Sequence, residues 1–173
     1  MLKLGFFLAL CITLNSSIYS YTIVGANGVS IDFNGFRNKK ILLVNIATNS
    51  QRADQIGELE ELYQLYGDSL VVIAFPSNSF GNEPRSNAEI AAYCTTNYNS
   101  SFVIAGKNAV AGSGIQPIYE WLASPALNGV LMGTVSNDFQ KFLIDKNGVI
   151  AGVFAPMISP MDSIIQKAIL GIE

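Results

Sequence analysis

The sequence predicts an α/β fold with one central mixed β-sheet flanked by helices. Three observations carry that reading. Lys40–Ile46 (KILLVNI) and Leu70–Phe75 (LVVIAF) are continuous apolar runs of strand length, as expected for strands buried on both faces of a parallel sheet. Between them, Ile56, Leu59, Leu62, Tyr63 and Tyr66 recur at helical spacing. Near the C-terminus, Phe139–Ile144 and Val149–Phe154 flank Asp145-Lys146-Asn147-Gly148, the turn chemistry of an antiparallel hairpin. Strand, helix and strand from Lys40 to Phe75 form a right-handed βαβ unit, and the hairpin makes the sheet mixed.

The elements follow in order. Residues 1–20 read as an export signal: Lys3 gives a basic start, Leu4–Leu14 is apolar, and Asn15–Ser20 is polar and small, with cleavage near Ser17 or after Ser20. The apolar run is too short to span a bilayer, which takes about 20 residues, so no stable membrane insertion is expected after cleavage. Leu10 is too large for the position before the cysteine of a lipoprotein box. The protein is therefore expected outside the cytoplasm, periplasmic or extracellular, with residues 21–173 as one domain.

Asn27-Gly28 signals a hairpin turn between Tyr21–Val24 and the alternating Val29–Phe33. After the βαβ unit, whose helix should run from Asp54 to Tyr66 and stop at Gly67, Ser86-Asn87-Ala88-Glu89 has capping-box spacing for a helix to about Thr96. Pro117–Leu122 is a short helix, and Ser159-Pro160 should open a last one ending at Leu170 before Gly171. βαβ, helix, then ββα around one mixed sheet is the thioredoxin-like plan.

Composition excludes several functions. Net charge is −3 over 173 residues, falling to −4 when Lys3 is removed, so a sequence-independent nucleic-acid surface is not expected. Histidine is absent, which rules out His-ligated zinc, Cys–His nucleophiles and Ser–His–Asp triads. Two cysteines, Cys11 and Cys94, are too few for a disulfide framework or a thiolate metal cage, and signal cleavage leaves Cys94 alone. No cofactor and no metal is expected.

In this plan the loop after the first core strand delivers a residue to a helix N-terminus, where backbone amides and the dipole stabilise an anion such as a thiolate. Here the loop reads Ala47-Thr48-Asn49-Ser50-Gln51-Arg52-Ala53-Asp54 and holds no cysteine. Its simplest reading is that Thr48, Asn49 and Ser50 cap the helix.

Lys40–Ala47 (KILLVNIA), Leu59–Tyr63 (LEELY), Phe75–Gly81 (FPSNSFG), Glu83-Pro84, Phe139–Asp145 (FQKFLID) and Ala155-Pro156 with Pro160 resemble, in order, the signature blocks of glutathione peroxidases. The resemblance covers most of Tyr21–Leu170. It implies a thioredoxin-like fold and the reduction of hydroperoxides by a cysteine or selenocysteine, restored by glutathione or thioredoxin, with a role in the response to oxidative stress. It also implies a monomer, because Leu122–Asn137 lacks the extra loop of tetrameric members.

Carried over by position, the family's nucleophile falls on Ser50, its glutamine on Ser79, and its tryptophan and asparagine on Asn137 and Asp138. All four tetrad positions differ. A serine hydroxyl stays protonated near neutral pH and has no reversible oxidation ladder, and an ionised Asp138 would oppose a neighbouring anion. Cys94 lies where the thioredoxin-dependent branch keeps its resolving cysteine, yet without a partner at Ser50 it can only oxidise alone, exchange, or pair between chains.

The expectation is an exported glutathione peroxidase-like pseudoenzyme with a shallow cleft around Ser50, Ser79 and Asn137. The alternative is residual thiol peroxidase or disulfide-exchange activity through Cys94; hydroperoxide and a thiol reductant are partners only if the chain is active. Trp121 reads as core, Asp145 and Asn147 as turn residues, and Glu58, Glu60 and Glu61 as a solvated helix face.

Overall fold

The two apolar runs become β3 (Lys40–Ile46) and β4 (Leu70–Pro76), paired in parallel from Lys40 opposite Leu70 to Ile46 opposite Pro76. The computed structural model describes residues 17–129 and 134–172, so the export segment read over residues 1–20 lies outside the described residues as far as residue 16. Around the central pair, β5 (Val103–Ile104) runs parallel to β4, while β6 (Lys141–Ile144) and β7 (Ile150–Phe154) form the antiparallel hairpin against β3. The order is β5-β4-β3-β6-β7. β1 (Thr22–Val24) and β2 (Ser30–Asp32) form a separate two-stranded sheet.

Strand alternation divides the interior into two cores. Ile41, Leu43, Val71, Ile73 and Phe75 face α3 (Pro117–Ala123), with Tyr119, Trp121 and Leu122, and the N-terminal residues Ile18 and Tyr19. Leu42, Val44, Val72 and Ala74 face α1 (Gln55–Tyr66), α2 (Asn87–Tyr98) and α5 (Ser163–Leu170). Within α1 the expected stripe of Ile56, Leu59 and Leu62 is fully buried. Trp121 is core, as expected.

Several boundaries differ from the sequence expectation for local reasons. α5 begins at Ser163 because Asp162 accepts the Ile164 N–H; Ser159 instead closes the preceding turn through Met161. α2 has its capping box at Ser86 and runs on to Tyr98, ending where Asn99 takes a left-handed conformation. Thr48, Asn49 and Ser50 do not cap α1: Asp54 occupies that place, and the three residues build the turn before it. Two elements too short to read, β5 and α4 (Pro125–Asn128), complete the fold. Glu60 is not on a solvated face: its carboxylate is buried and accepts both the Ser101 N–H (2.7 Å) and hydroxyl (2.6 Å).

The N-terminal edge of the domain is well anchored. Ile18 is fully buried, the Tyr19 hydroxyl donates to Lys146 O (3.0 Å), and the Arg37 guanidinium lies 4.3 Å from the Tyr19 ring centre. A chain beginning at Tyr21 loses these contacts. It is expected to be less stable than one beginning at Ser17 by about 2–5 kcal/mol, the range for emptying a large core position, read as a lower unfolding midpoint in urea.

Candidate active site

Three chain segments converge at the C-terminal ends of β3 and β4. The first is the Ala47–Asp54 turn leading into α1. The second is the loop after β4, from Asn78 to Arg85. The third is the approach to β6, where Asn137, Asp138 and Phe139 precede the strand. Asn49, Ser50, Gln51, Arg52, Asn82 and Asn137 line a cleft of about 380 Å³ between them.

Glu83 fixes the turn. Its fully buried carboxylate accepts the Thr48 N–H (2.7 Å) and hydroxyl (2.8 Å) and the Arg85 N–H (3.2 Å). Arg85 Nη1 in turn donates to Thr48 Oγ1 (2.6 Å) and Asn49 Oδ1, and the Asn49 N–H reaches Asn82 O. Removing a buried acceptor shared by three donors leaves all three unpaired. Glu83→Ala is expected to destabilise the protein by about 3 kcal/mol, in the range for breaking a buried charged network, with amide protection lost at Thr48 and Asn49 in hydrogen exchange.

The third segment is held by a kink. Phe139 has φ 67°, a conformation that L residues rarely adopt, so the strand begins two residues later than Phe139, at Lys141. Its N–H donates to Asn45 O (2.6 Å) on β3 and its carbonyl accepts from Lys141 Nζ (2.8 Å). Lys141 is itself fully buried and donates to Gln55 Oε1 (2.6 Å) and Pro156 O (3.3 Å) as well. Asn45 Nδ2 binds the Asn137 carbonyl (2.9 Å). These contacts turn Asn137 toward the cleft and Asp138 inward beneath it.

Asp138 is fully buried and accepts from Asn82 Nδ2 through Oδ2 (2.7 Å). Its Oδ1 has no partner in good hydrogen-bond geometry. Burial raises the carboxyl above its usual range, against the opposing pull of Asn82, the Ser50 hydroxyl and the Arg52 guanidinium. Ser50 is nearly buried, so a hydroxyl and a carboxyl share the floor of the cleft. The arrangement can donate and accept hydrogen bonds, and among the described residues that line it there is one cation, Arg52.

The four positions expected from sequence to form the site separate into two places. Ser50, Asn137 and Asp138 meet at the cleft. Ser79 does not line it: its hydroxyl is engaged by Ser77 and by the backbone of Val110 and Ala111, beside a different cavity that it shares with Asn78, Lys107 and Asn108. Cys94 sits within the α1–α2–α5 core, fully buried, and burial followed by the nearby Glu83 pushes its thiol up to about 11. Asn82 and Glu83 were not singled out as site residues from sequence; the Asn-Glu-Pro stretch before a capping box was the available signal.

This geometry can be set beside known proteins. The glutathione peroxidase family model matches residues 18–123. A glutathione peroxidase of Lactococcus lactis subsp. cremoris is 34% identical over 155 residues, covering 87% of this chain and 98% of its own. The chain belongs to the glutathione peroxidase family. A glutathione peroxidase-like peroxiredoxin 2 of Saccharomyces cerevisiae is 34% identical over 158 residues, covering 89% of this chain and 98% of its own. Among solved structures, GPX1 of T. cruzi superposes with a TM-score of 0.68 at 27% identity, over 91% of this chain and 96% of that one. A thioredoxin family protein of Chlorobium tepidum shares the fold at TM-score 0.61 and 15% identity, over 86% and 92% of the two chains. The fold of this family member is thus thioredoxin-like, the plan that the order of its elements predicts.

Proposed function

We propose that this member of the glutathione peroxidase family is an exported pseudoenzyme: it keeps the fold and the cleft for binding and has lost hydroperoxide reduction. One observation carries the reading. The position delivered to the head of α1 is Ser50, its hydroxyl set against the buried Asp138 carboxyl. Hydroperoxide reduction needs an ionised chalcogen that attacks the O–O bond and is left as a sulfenic or selenenic acid. A hydroxyl does neither, and a neighbouring carboxyl disfavours any anion there.

The second reading, a residual thiol enzyme working through Cys94, is disfavoured by the same physics. A thiol that burial holds at about 11 is almost wholly protonated at neutral pH, and a peroxide has no path to a fully buried sulfur. Export remains part of the proposal, with cleavage near Ser17 preferred over cleavage after Ser20, since Ile18 and Tyr19 pack into the core.

The test is hydroperoxide consumption by the purified mature chain with glutathione and with thioredoxin, beside a Cys94→Ser control. Equal and negligible rates are expected. Turnover that vanishes in the control would overturn the pseudoenzyme reading and make Cys94 the site.

A further inference from the structure

We infer that the outer edge of β1 is a docking site for an extended peptide of a partner protein, in the notch bounded by Thr22–Val24, Lys107–Asn108 and Gln116. The inference does not depend on whether the Ser50 cleft is active, since the two share no lining residue.

The direction of the backbone groups follows from the ladder. Tyr21 O accepts from Phe33 N, and Gly25 N donates to Val29 O, so residues 21, 23 and 25 turn their hydrogen-bonding groups toward β2. Thr22 and Val24 therefore turn theirs outward. Along that outer edge Ile104–Gly106 runs antiparallel: Ala26 N donates to Ile104 O (2.9 Å), and Gly106 N to Val24 O (2.7 Å). There the match ends. Asn108 N donates to Pro76 O instead, and among the described residues the Thr22 N–H and carbonyl have no backbone partner.

The opening left by this divergence is a cavity of about 350 Å³, lined by Thr22, Ile23, Val24, Lys107, Gln116 and Pro117 among others. Gln116 gives it a second unmet requirement. The side chain is only 7% exposed, and its Nε2 has no hydrogen-bond partner. A buried donor left unpaired is unfavourable by about 1–3 kcal/mol, and because Gln116 lines the notch, a turn of its terminal amide would bring that donor to a peptide carbonyl. Lys107 Nζ spends one proton on Arg85 O (2.6 Å) and is exposed, which favours an acidic residue at that end. A strand continuing the direction of Ile104–Gly106 would exchange main-chain hydrogen bonds with Thr22, the mode in which backbone pairing gives affinity and alternate side chains give specificity.

The test is NMR titration of the isotope-labelled protein with two capped pentapeptides of alternating valine and threonine, one ending in glutamate and one in lysine. Shifts are expected at the Thr22 and Val24 amides and at the Gln116 side-chain amide, with the glutamate peptide binding more tightly. Thr22→Pro removes an outward N–H without touching the β2 ladder and should weaken binding about tenfold. Gln116→Leu should also weaken binding while leaving thermal stability unchanged or higher, because the Nε2 donor it removes has no partner in the free protein. Absence of shifts at these residues with either peptide near 1 mM, or binding indifferent to Gln116→Leu, would overturn the proposal.

Discussion

Ser50→Cys alone is expected to leave hydroperoxide consumption near that of a free thiol, while Ser50→Cys with Asp138→Asn is expected to be about 10–100-fold faster, for a thiol pKa lowered by one to two units. The reason is electrostatic. A sulfur at position 50 would lie at the floor of the cleft, and its thiolate would face the buried Asp138 carboxyl. Burial and like charge both push a thiol up, and Arg52 opposes them from a partly exposed position. Asparagine at 138 removes the charge and offers an N–H to the sulfur. With the thiolate formed, its lone pair attacks the terminal oxygen of the hydroperoxide, the O–O bond breaks, and the alkoxide leaves as alcohol after taking a proton, with sulfur oxidised to sulfenic acid. The measurement is the thiolate absorbance titration of both variants beside their peroxide kinetics. Equal rates and equal thiol pKa values would show that Asp138 is not what suppresses a thiolate here.

Much of this architecture was legible because it rests on short-range signals. β3 and β4 are buried along their length, so their residues are apolar without interruption, and the stripe of α1 is fixed by helical spacing. What could not be read depends on groups far apart in sequence. Phe139 looks like a strand residue; its left-handed backbone is held by Asn45 on one side and Lys141 on the other. Glu60 looks solvated on a helical wheel, and only the return of the chain at Ser101 gives its carboxylate a buried use. Sequence resemblance expects Ser79 and Ser50 in one constellation, yet a serine hydroxyl is short and local backbone donors at Val110 and Ala111 capture that of Ser79. The cleft itself required Asn82 to meet Asp138 across two loops.

Lys141→Met is expected to destabilise the protein, and by more at pH 9 than at pH 6. Burial pulls the Lys141 ammonium down from an ordinary 10.5 to about 7, with Glu58 opposing and Arg52 assisting. Between those two values the unfolded chain binds more protons than the folded one, so this lysine makes stability rise with pH from about 7 upward, by at most about 1.4 kcal/mol per unit. Below pH 7 both states carry the proton and the burden of a buried charge is fully felt. Methionine keeps much of the side-chain volume but titrates nothing, so the stability gap between the two proteins widens as pH rises. At every pH the variant also loses the donor to Phe139 O, and with it one of the contacts that holds the kink beneath the cleft. Asp138, whose carboxyl burial raises, has the opposite sign: its contribution falls as pH rises through the range above 3.8. It is present in both proteins and cancels in their difference. Denaturant unfolding of the pair at pH 6, 7.5 and 9 reads the effect. The three carbonyl acceptors around Lys141 Nζ supply the competing expectation: if they bind the ammonium strongly enough to outweigh burial, both states keep the proton below 10.5 and the gap stays level from pH 6 to pH 9. A gap that widens makes the lysine a group folded against its own charge, retained for the backbone geometry it imposes on Phe139 and, through it, on Asn137 and Asp138.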